Sequence, residues 1–191
     1  MSNKPGKLRI IAGKWRGRLI PLLSTEAPSL RPTPDRVRED VFNWLAPFMH
    51  GAHCVDLFAG SGLLSFEALS RGAAHIHLVE KDKRVFAHLK QCAAAFPKEQ
   101  ISLYQQDALD LRLAAQPLID IVFMDPPFQA QLLTPSCKWL TEQVWLAPQA
   151  LIYIEKNATQ EFIPPVAWQL LKTKQAGQVS YHLYQTTTEE V

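Results

Sequence analysis

The stretch that most constrains this chain is Ile119-Asp120-Ile121-Val122-Phe123-Met124-Asp125-Pro126-Pro127-Phe128. Its apolar, β-favouring residues suit a strand buried on both faces of a parallel sheet. The two prolines end that strand: neither donates a backbone hydrogen bond, and Pro126 pushes Asp125 toward an extended conformation. A carboxylate, two rigid carbonyl-bearing residues and an aromatic ring are thereby predicted at the carboxyl end of a strand, where open α/β sheets bind their ligands. Such a tip suits reaction at the exocyclic amine of a nucleobase. That nitrogen's lone pair is delocalised into the ring, so its N–H bonds need acceptors that hold it in line with an electrophile. Asp125 and the Pro126 carbonyl are the candidate acceptors, and Phe128 offers a face on which an extruded base stacks. The competing reading is that Asp-Pro-Pro only terminates a strand and Phe128 caps the core.

A second strand is predicted at His53-Cys54-Val55-Asp56, running into the turn Leu57-Phe58-Ala59-Gly60-Ser61-Gly62 and a helix over 61–70 closed by Arg71-Gly72. Glycines in such a turn let backbone approach a nucleotide-like ligand closely. The next strand, over 76–80, ends in Glu80, near the offset at which such folds grip ribose hydroxyls. A helix over 85–96 follows, then a strand beginning at Ile101 with Asp107 at its tip. Asp107 suits either an adenine amino group or the N-cap of the following helix, and one residue can do both. Beyond the Asp-Pro-Pro strand come a helix over 132–146, a fifth strand over 150–155 and a closing antiparallel pair, 168–174 and 179–186, joined through Ala176-Gly177. Strand–helix alternation with acids at successive strand ends indicates a doubly wound α/β sheet.

With 191 residues, the chain is expected to form one globular domain with a small appendage. No apolar run approaches a membrane span and the first residues lack the apolar centre of a signal peptide, so a cytoplasmic location is expected. Cys54, Cys92 and Cys137 are odd in number and unpaired in spacing, arguing against a disulfide framework and a zinc site; no metal is expected.

The net charge of +2 conceals a basic opening segment, in which Lys4, Lys7, Arg9, Lys14, Arg16, Arg18, Arg31, Arg36 and Arg38 face only Glu26 and Asp35. This is the footprint of a phosphate-binding face. Two short β-like runs, 8–12 and 15–22, separated by Gly13-Lys14, read as a hairpin whose cations interleave with Trp15, a composition suited to an RNA backbone and an unpaired base. Thr33-Pro34-Asp35 reads as a helix start with Thr33 as N-cap and Pro34 at the first helical position. Val37, Val41, Trp44, Leu45 and Phe48 form its apolar stripe. For Arg31, Arg36 and Arg38 an ion pair with Asp35 or Glu39 stands level with nucleic-acid or cofactor contact.

Taken together, the turn 56–62, Glu80, Asp107 and Asp125-Pro126-Pro127-Phe128 resemble the class I S-adenosylmethionine-dependent methyltransferases that act on amino nitrogens. With the segments 9–18 and 31–39, and Gly177-Gln178-Val179-Ser180-Tyr181 near the end, the chain resembles the bacterial RsmD family over essentially its whole length. The resemblance implies a Rossmann-like sheet, mostly parallel with an antiparallel final strand. Residues 1–32 would be a basic hairpin and loop for RNA contact, and 33–191 the methyltransferase domain. It implies methylation of the 2-amino group of one guanine in small-subunit ribosomal RNA, as naked RNA or within an assembling or complete 30S subunit, by a monomer with no membrane partner.

By that resemblance Asp56 and the turn of Phe58, Ala59, Gly60, Ser61 and Gly62 hold the methionine part of S-adenosylmethionine. Glu80 holds its ribose and Asp107 its adenine, with Lys81 and Ala108 beside them in the cofactor site. Asp125, Pro126, Pro127 and Phe128 face the guanine, and Arg9, Lys14, Trp15, Arg16, Arg18, Arg31, Arg36 and Arg38 contact RNA. Where relatives often carry tyrosine at the end of the catalytic motif, Phe128 keeps the stacking face. The rival readings are a DNA adenine amino-methyltransferase, a catalytically idle RNA-binding module and a dinucleotide-dependent oxidoreductase. Against the last, Ser65 stands where the third fingerprint glycine would be.

Overall fold

A computed structural model of the chain describes residues 6–23, 34–127 and 131–187. Seven strands form one sheet: β3 (His53–Asp56), β4 (His75–Val79), β5 (Ile101–Tyr104), β6 (Ile119–Met124), β7 (Leu146–Asn157), β8 (Trp168–Ala176) and β9 (Val179–Thr186). Their spatial order is β5-β4-β3-β6-β7-β9-β8. The first five are parallel, and β9 lies antiparallel between β7 and β8. The chain builds outward from β3 to β5, then returns to β6 on the other side of β3. That reversal opens a crevice between the carboxyl ends of β3 and β6, the position at which doubly wound sheets take ligands.

The predicted Asp-Pro-Pro strand is β6, buried at Ile119, Ile121, Val122, Phe123 and Met124. Its one polar residue is accounted for: Asp120 accepts from the backbone N–H of His53 at 2.9 Å, tying the start of β3 to β6. One face of the sheet carries Cys54, Ile76, Phe123 and Tyr153 against helices α1 (Asp35–Met49) and α2 (Leu63–Ser70) and α3 (Lys83–Ala93). The other carries Val55, Val122, Ile152 and Ile154 against α4 (Leu133–Thr141). The alternation of these residues along each strand is what a two-sided core requires. Cys54, Cys92 and Cys137 are free, buried thiols. No helix among the described residues is long and apolar enough to cross a membrane.

Several boundaries differ from the sequence reading. Helix α2 begins at Leu63 rather than Ser61, because Gly62 takes the left-handed conformation at φ +76° and acts as N-cap. Helix α3 begins earlier than expected, at Lys83, because the Asp82 carboxylate caps it by accepting from the N–H groups of Arg84 and Val85. Helix α4 is shorter than expected, ending at Thr141, and β7 is longer, beginning at Leu146. For α1, Pro34 occupies the N-cap rather than the first helical position; the expected cap, Thr33, lies outside the described residues.

The hairpin needs the largest correction. Its strands are only β1 (Lys7–Arg9) and β2 (Leu19–Pro21), antiparallel, and residues 10–18 form a compact loop instead of extending the ladder. Gly13-Lys14 is not a two-residue hairpin turn. It bends against α2, where a Cβ on Gly13 would lie 1.8 Å from the Ser70 carbonyl oxygen. Ile10 and Ile20 are buried in the same cluster as α1, α2 and the sheet, so a two-stranded unit that would be marginal by itself is held by the main core.

Candidate functional site

At the carboxyl end of β3, Asp56 is 2% exposed. Its Oδ2 accepts from the Ser65 hydroxyl at 2.7 Å and its Oδ1 from the Phe58 N–H at 3.3 Å. Burial pushes its pKa up to about 6, against the opposing effect of those two donors, with nearby Glu80 adding repulsion. The turn that follows is bound to its neighbours through backbone: Leu57 N–H donates to the Phe123 carbonyl of β6 and Ala59 N–H to the Val79 carbonyl of β4. Gly60 has φ +52° and Gly62 φ +76°, conformations that strain any residue with a Cβ. At Gly62 a Cβ would also meet Leu89 and Phe66 at 2.6 Å.

Glu80, at the end of β4, folds toward this turn. Its Oε2 accepts from Gly60 N–H at 3.1 Å and its Oε1 from Asp82 N–H at 2.7 Å. Burial raises its pKa despite those bonds. Asp107 follows β5 and caps a short 3-10 turn by accepting from Leu109 N–H at 3.1 Å. Its other oxygen meets the exposed Lys81 ammonium at 2.7 Å, and that contact, with the Leu109 bond, holds its carboxyl below the usual range. Ala108 is buried behind it. So the capping role open in the sequence is present.

Asp125 follows β6 directly. Its surface is only part exposed, and protein packs densely around its carboxylate. Burial raises its pKa well above the usual carboxylate value, and the negative charges of Glu155 and Asp56 push it further in the same direction. Pro126 is buried and Pro127 exposed. Phe128 lies outside the described residues. The strand register, Asp56 opposite Phe123 and Met124 opposite Ile154, sets Asp56 and Asp125 at the ends of β3 and β6 and Glu155 near the end of the adjacent β7. Glu155 is 3% exposed and accepts from the Tyr153 hydroxyl at 2.9 Å.

The basic segment divides. Arg9, Lys14, Arg16 and Arg36 are exposed, whereas Trp15 and Arg18 are turned partly into the protein. Trp15 packs edge-on to Phe96, with ring centroids 5.1 Å apart. Arg18 lies over both rings and donates to the Ala95 carbonyl, and the Lys14 ammonium sits 5.1 Å from the Trp15 centroid. Arg38 is a correction: its side chain is 0% exposed, pairs with Asp35 at 2.6 Å and Glu67 at 3.6 Å, and donates to the Arg9 carbonyl. It therefore cannot meet a nucleic acid, and the ion pair left open in the sequence is its role. Arg31 lies outside the described residues.

Sequence reasoning missed Ser65 and Glu155. Ser65 had served only as evidence against a dinucleotide fingerprint, yet it is the hydroxyl that steadies Asp56. Glu155 stands two residues before the end of β7, as Asp56 ends β3 and Glu80 follows β4, and an acid at the end of the strand expected over 150–155 is the signal available.

The family model described as conserved hypothetical protein 95 matches residues 8–185. The ribosomal RNA small subunit methyltransferase D of Haemophilus influenzae is 47% identical over 187 residues, covering 96% of this chain and 96% of that protein. The protein of the same name from Escherichia coli K12 is 44% identical over 182 residues, covering 94% of this chain and 90% of its own length. The solved structure of a putative methyltransferase from E. coli superposes with a TM-score of 0.84 at 43% identity, covering 96% of this chain and all of that one. On these matches, and with the strand order described above, the chain belongs to the family of RsmD-type methyltransferases, built on a Rossmann-like class I fold.

Proposed function

We propose that this chain transfers a methyl group from S-adenosylmethionine to the exocyclic 2-amino group of a guanine in small-subunit ribosomal RNA. The observation that carries the reading is the seating of Asp125-Pro126 at the end of β6, beside Asp56 at the end of β3, across the reversal of strand order. The resident donor set fits the cofactor's chemistry. Burial raises the proton affinity of Asp56, Glu80 and Asp125, with Glu80 adding to the effect at Asp56, and Glu155 and Asp56 at Asp125; a cation relieves that cost. When bound, S-adenosylmethionine supplies an electrophilic methyl group on a positively charged sulfur.

In this reading Asp56 and the turn from Phe58 to Gly62 hold the methionine part, Glu80 and Lys81 line the ribose site, and Asp107 and Ala108 the adenine site. The Asp107 oxygen facing Lys81 is the one that would turn to an adenine amine, while the capping oxygen stays with Leu109 N–H. Asp125 and the Pro126 carbonyl accept the two N–H bonds of the guanine amine and aim its lone pair. Asp125 must be ionised to accept, and a neighbouring cation favours its ionised form. A carboxylate is too weak a base to deprotonate an arylamine beforehand. The proton therefore passes to Asp125 as the nitrogen–carbon bond forms, and from there to water. Pro126 and Pro127 fix the backbone so that little is lost in ordering it. Phe128 stacks on the base. Residues 1–32 act as the RNA-contacting segment and 33–191 as the catalytic domain, with Arg9, Lys14, Arg16 and Arg36 meeting phosphates of the cytoplasmic ribosomal substrate.

The test is mass spectrometry of ribosomal RNA from cells lacking the chain, paired with transfer in vitro to guanine-containing RNA and to the same RNA with inosine, which lacks the 2-amino group, at the mapped position. Loss of one N2-methylguanine and no transfer to the inosine substrate are expected. Loss of a methylated adenine, or transfer to DNA in preference to RNA, refutes the reading.

A further inference from the structure

The proposal concerns Glu67, which no expected function uses. Glu67 sits in the middle of α2 with 0% exposure. Its carboxylate accepts from the backbone N–H of Ile11 at 2.7 Å, the N–H of Ala12 at 3.0 Å and the Arg71 Nε at 2.7 Å, with the Arg38 guanidinium at 3.6 Å. One turn further on, the Ser70 carbonyl accepts from Lys14 N–H at 2.7 Å. The Ser70 hydroxyl accepts from Trp15 N–H at 2.9 Å and donates to the Ala12 carbonyl at 2.6 Å. Arg38 ties in the far side through the Arg9 carbonyl.

The backbone of the basic loop is thus bound to one helix by a buried charge and one serine. The amino end of that same helix is Gly62, the end of the candidate cofactor turn, and its first turn carries Ser65, which steadies Asp56. At a rise of about 1.5 Å per residue, Glu67 and Ser70 lie roughly 7 and 12 Å along the axis from Gly62. A helix so short is stiff, so whatever fixes its two ends fixes their separation.

We infer that Glu67 is a positioning residue: it locks the cation-bearing loop 10–18 onto α2, so that RNA held by the loop is registered against the cofactor turn at the helix's other end. The inference rests on the RNA-binding reading above. The bland alternative is that Glu67 only offsets the buried charges of Arg38 and Arg71. A purely compensating acid would need no backbone N–H bonds from a loop more than fifty residues away in sequence, and Glu67 takes two.

The experiment uses Glu67→Gln in the full chain. An amide has one oxygen to accept with, and its NH2 turns a donor toward donors, so the loop loses its anchor while the side-chain volume is kept. Three quantities are read: affinity for a guanine-containing small-subunit ribosomal RNA transcript, kcat at saturating RNA, and hydrogen exchange of the Ile11 and Ala12 amides. The expected result is faster exchange at both amides, an RNA KM raised about tenfold or more, and kcat and cofactor Kd within about twofold of wild type. Gly13→Ala, whose Cβ collides with the Ser70 carbonyl, attacks the same junction from the loop side without touching a charge and should give the same split. If the amides are released while RNA affinity stays at the wild-type value, the inference is wrong. A parallel loss of kcat and cofactor affinity likewise overturns it in favour of a compensating charge. Wild-type protein that binds no RNA sinks both this inference and the reading it rests on, whereas the first two outcomes leave that reading standing.

Discussion

Asp56→Asn should make the ligand-free protein more stable at neutral pH and less able to bind its cofactor. The Asp56 carboxyl has its pKa pushed from an ordinary 3.8 up to about 6 by burial, even with Ser65 and Phe58 N–H donating to it. The group is 2% exposed, so water does little to screen the cost. Below about pH 4 the acid is protonated in both native and unfolded chains and costs nothing. Between about pH 4 and 6 the unfolded chain ionises and the native one does not, so stability falls as pH rises. Above about pH 6 the whole penalty is present, about 3 kcal/mol at roughly 1.4 kcal/mol per pH unit. Asparagine keeps an acceptor for Phe58 N–H and offers Ser65 a donor, and it never ionises. Removing this charge also eases ionisation of Glu80 and Asp125, which works in the same direction. Urea unfolding of both proteins from pH 4 to 8 should show near-equal stability at the acid end and a gap opening to about 3 kcal/mol at pH 8, a melting difference of roughly 6–12 °C for a domain of this size. A gap that stays constant across the range, or a variant less stable at pH 8, refutes the assignment of a buried, destabilising carboxylate.

Asp125→Asn should lower kcat by roughly 10²–10³-fold, the range for removing one key charge acceptor, with cofactor Kd changed far less. In the wild type kcat/KM for S-adenosylmethionine, which reports the enzyme before the cofactor's cation arrives, should rise with pH as Asp125 ionises, since burial raises its pKa, and a profile flat through the acid range counts against the role. S-adenosylmethionine binding at pH 6 should release protons from Asp56, whose pKa is pushed up to about 6, seen as buffer-dependent heats in calorimetry; equal heats in all buffers at pH 6 contradict the charge argument. Gly62→Ala should cost roughly 1–2 kcal/mol from its left-handed backbone alone, more with the clash on Leu89 and Phe66, and a lowered denaturant midpoint measures it. Arg16→Ala should weaken RNA binding uniformly across sequences and reduce the salt slope of log affinity by about 1, which a salt titration of binding reads directly.

The strands and their acids were legible because the signals are local. An apolar run cut by two prolines, and glycines after Asp56, each fix backbone within a few residues, and the structure puts Asp56, Glu80 and Asp107 at or just beyond the ends of β3, β4 and β5. What was not legible depends on partners distant in sequence. The loop 10–18 alternates like a strand, yet the N–H groups of Ile11, Ala12, Lys14 and Trp15 go to Glu67 and Ser70 and the strand pairing stops at β1 and β2. Arg38 has the composition of a phosphate contact and the position of a core residue; only the burial of Glu67 on the facing helix decides between them. Likewise Asp120 interrupts an apolar strand for the sake of one N–H on β3.

The distribution of charge gives the basic segment a second reason to be fixed in place. The strand ends gather Asp56, Glu80, Asp125 and Glu155, three of them with raised proton affinity, so the crevice repels a polyanion as strongly as it attracts a cation. On the proposed reading, an RNA that brings one guanine beside Asp125 needs its phosphates held elsewhere, by cations not free to collapse onto the acids. Arg9 at the end of β1 and Arg16 on the loop pinned by backbone bonds are both exposed, and Arg36 lies where its charge reaches Asp40 and Tyr181, the latter also within reach of Glu155. Cations on a loose hairpin would pair with the nearest carboxylates and neutralise both surfaces. The buried Glu67, paired with Arg38 and Arg71 and accepting from the N–H groups of Ile11 and Ala12, holds the loop against that collapse, with its own charge under the loop and not upon it.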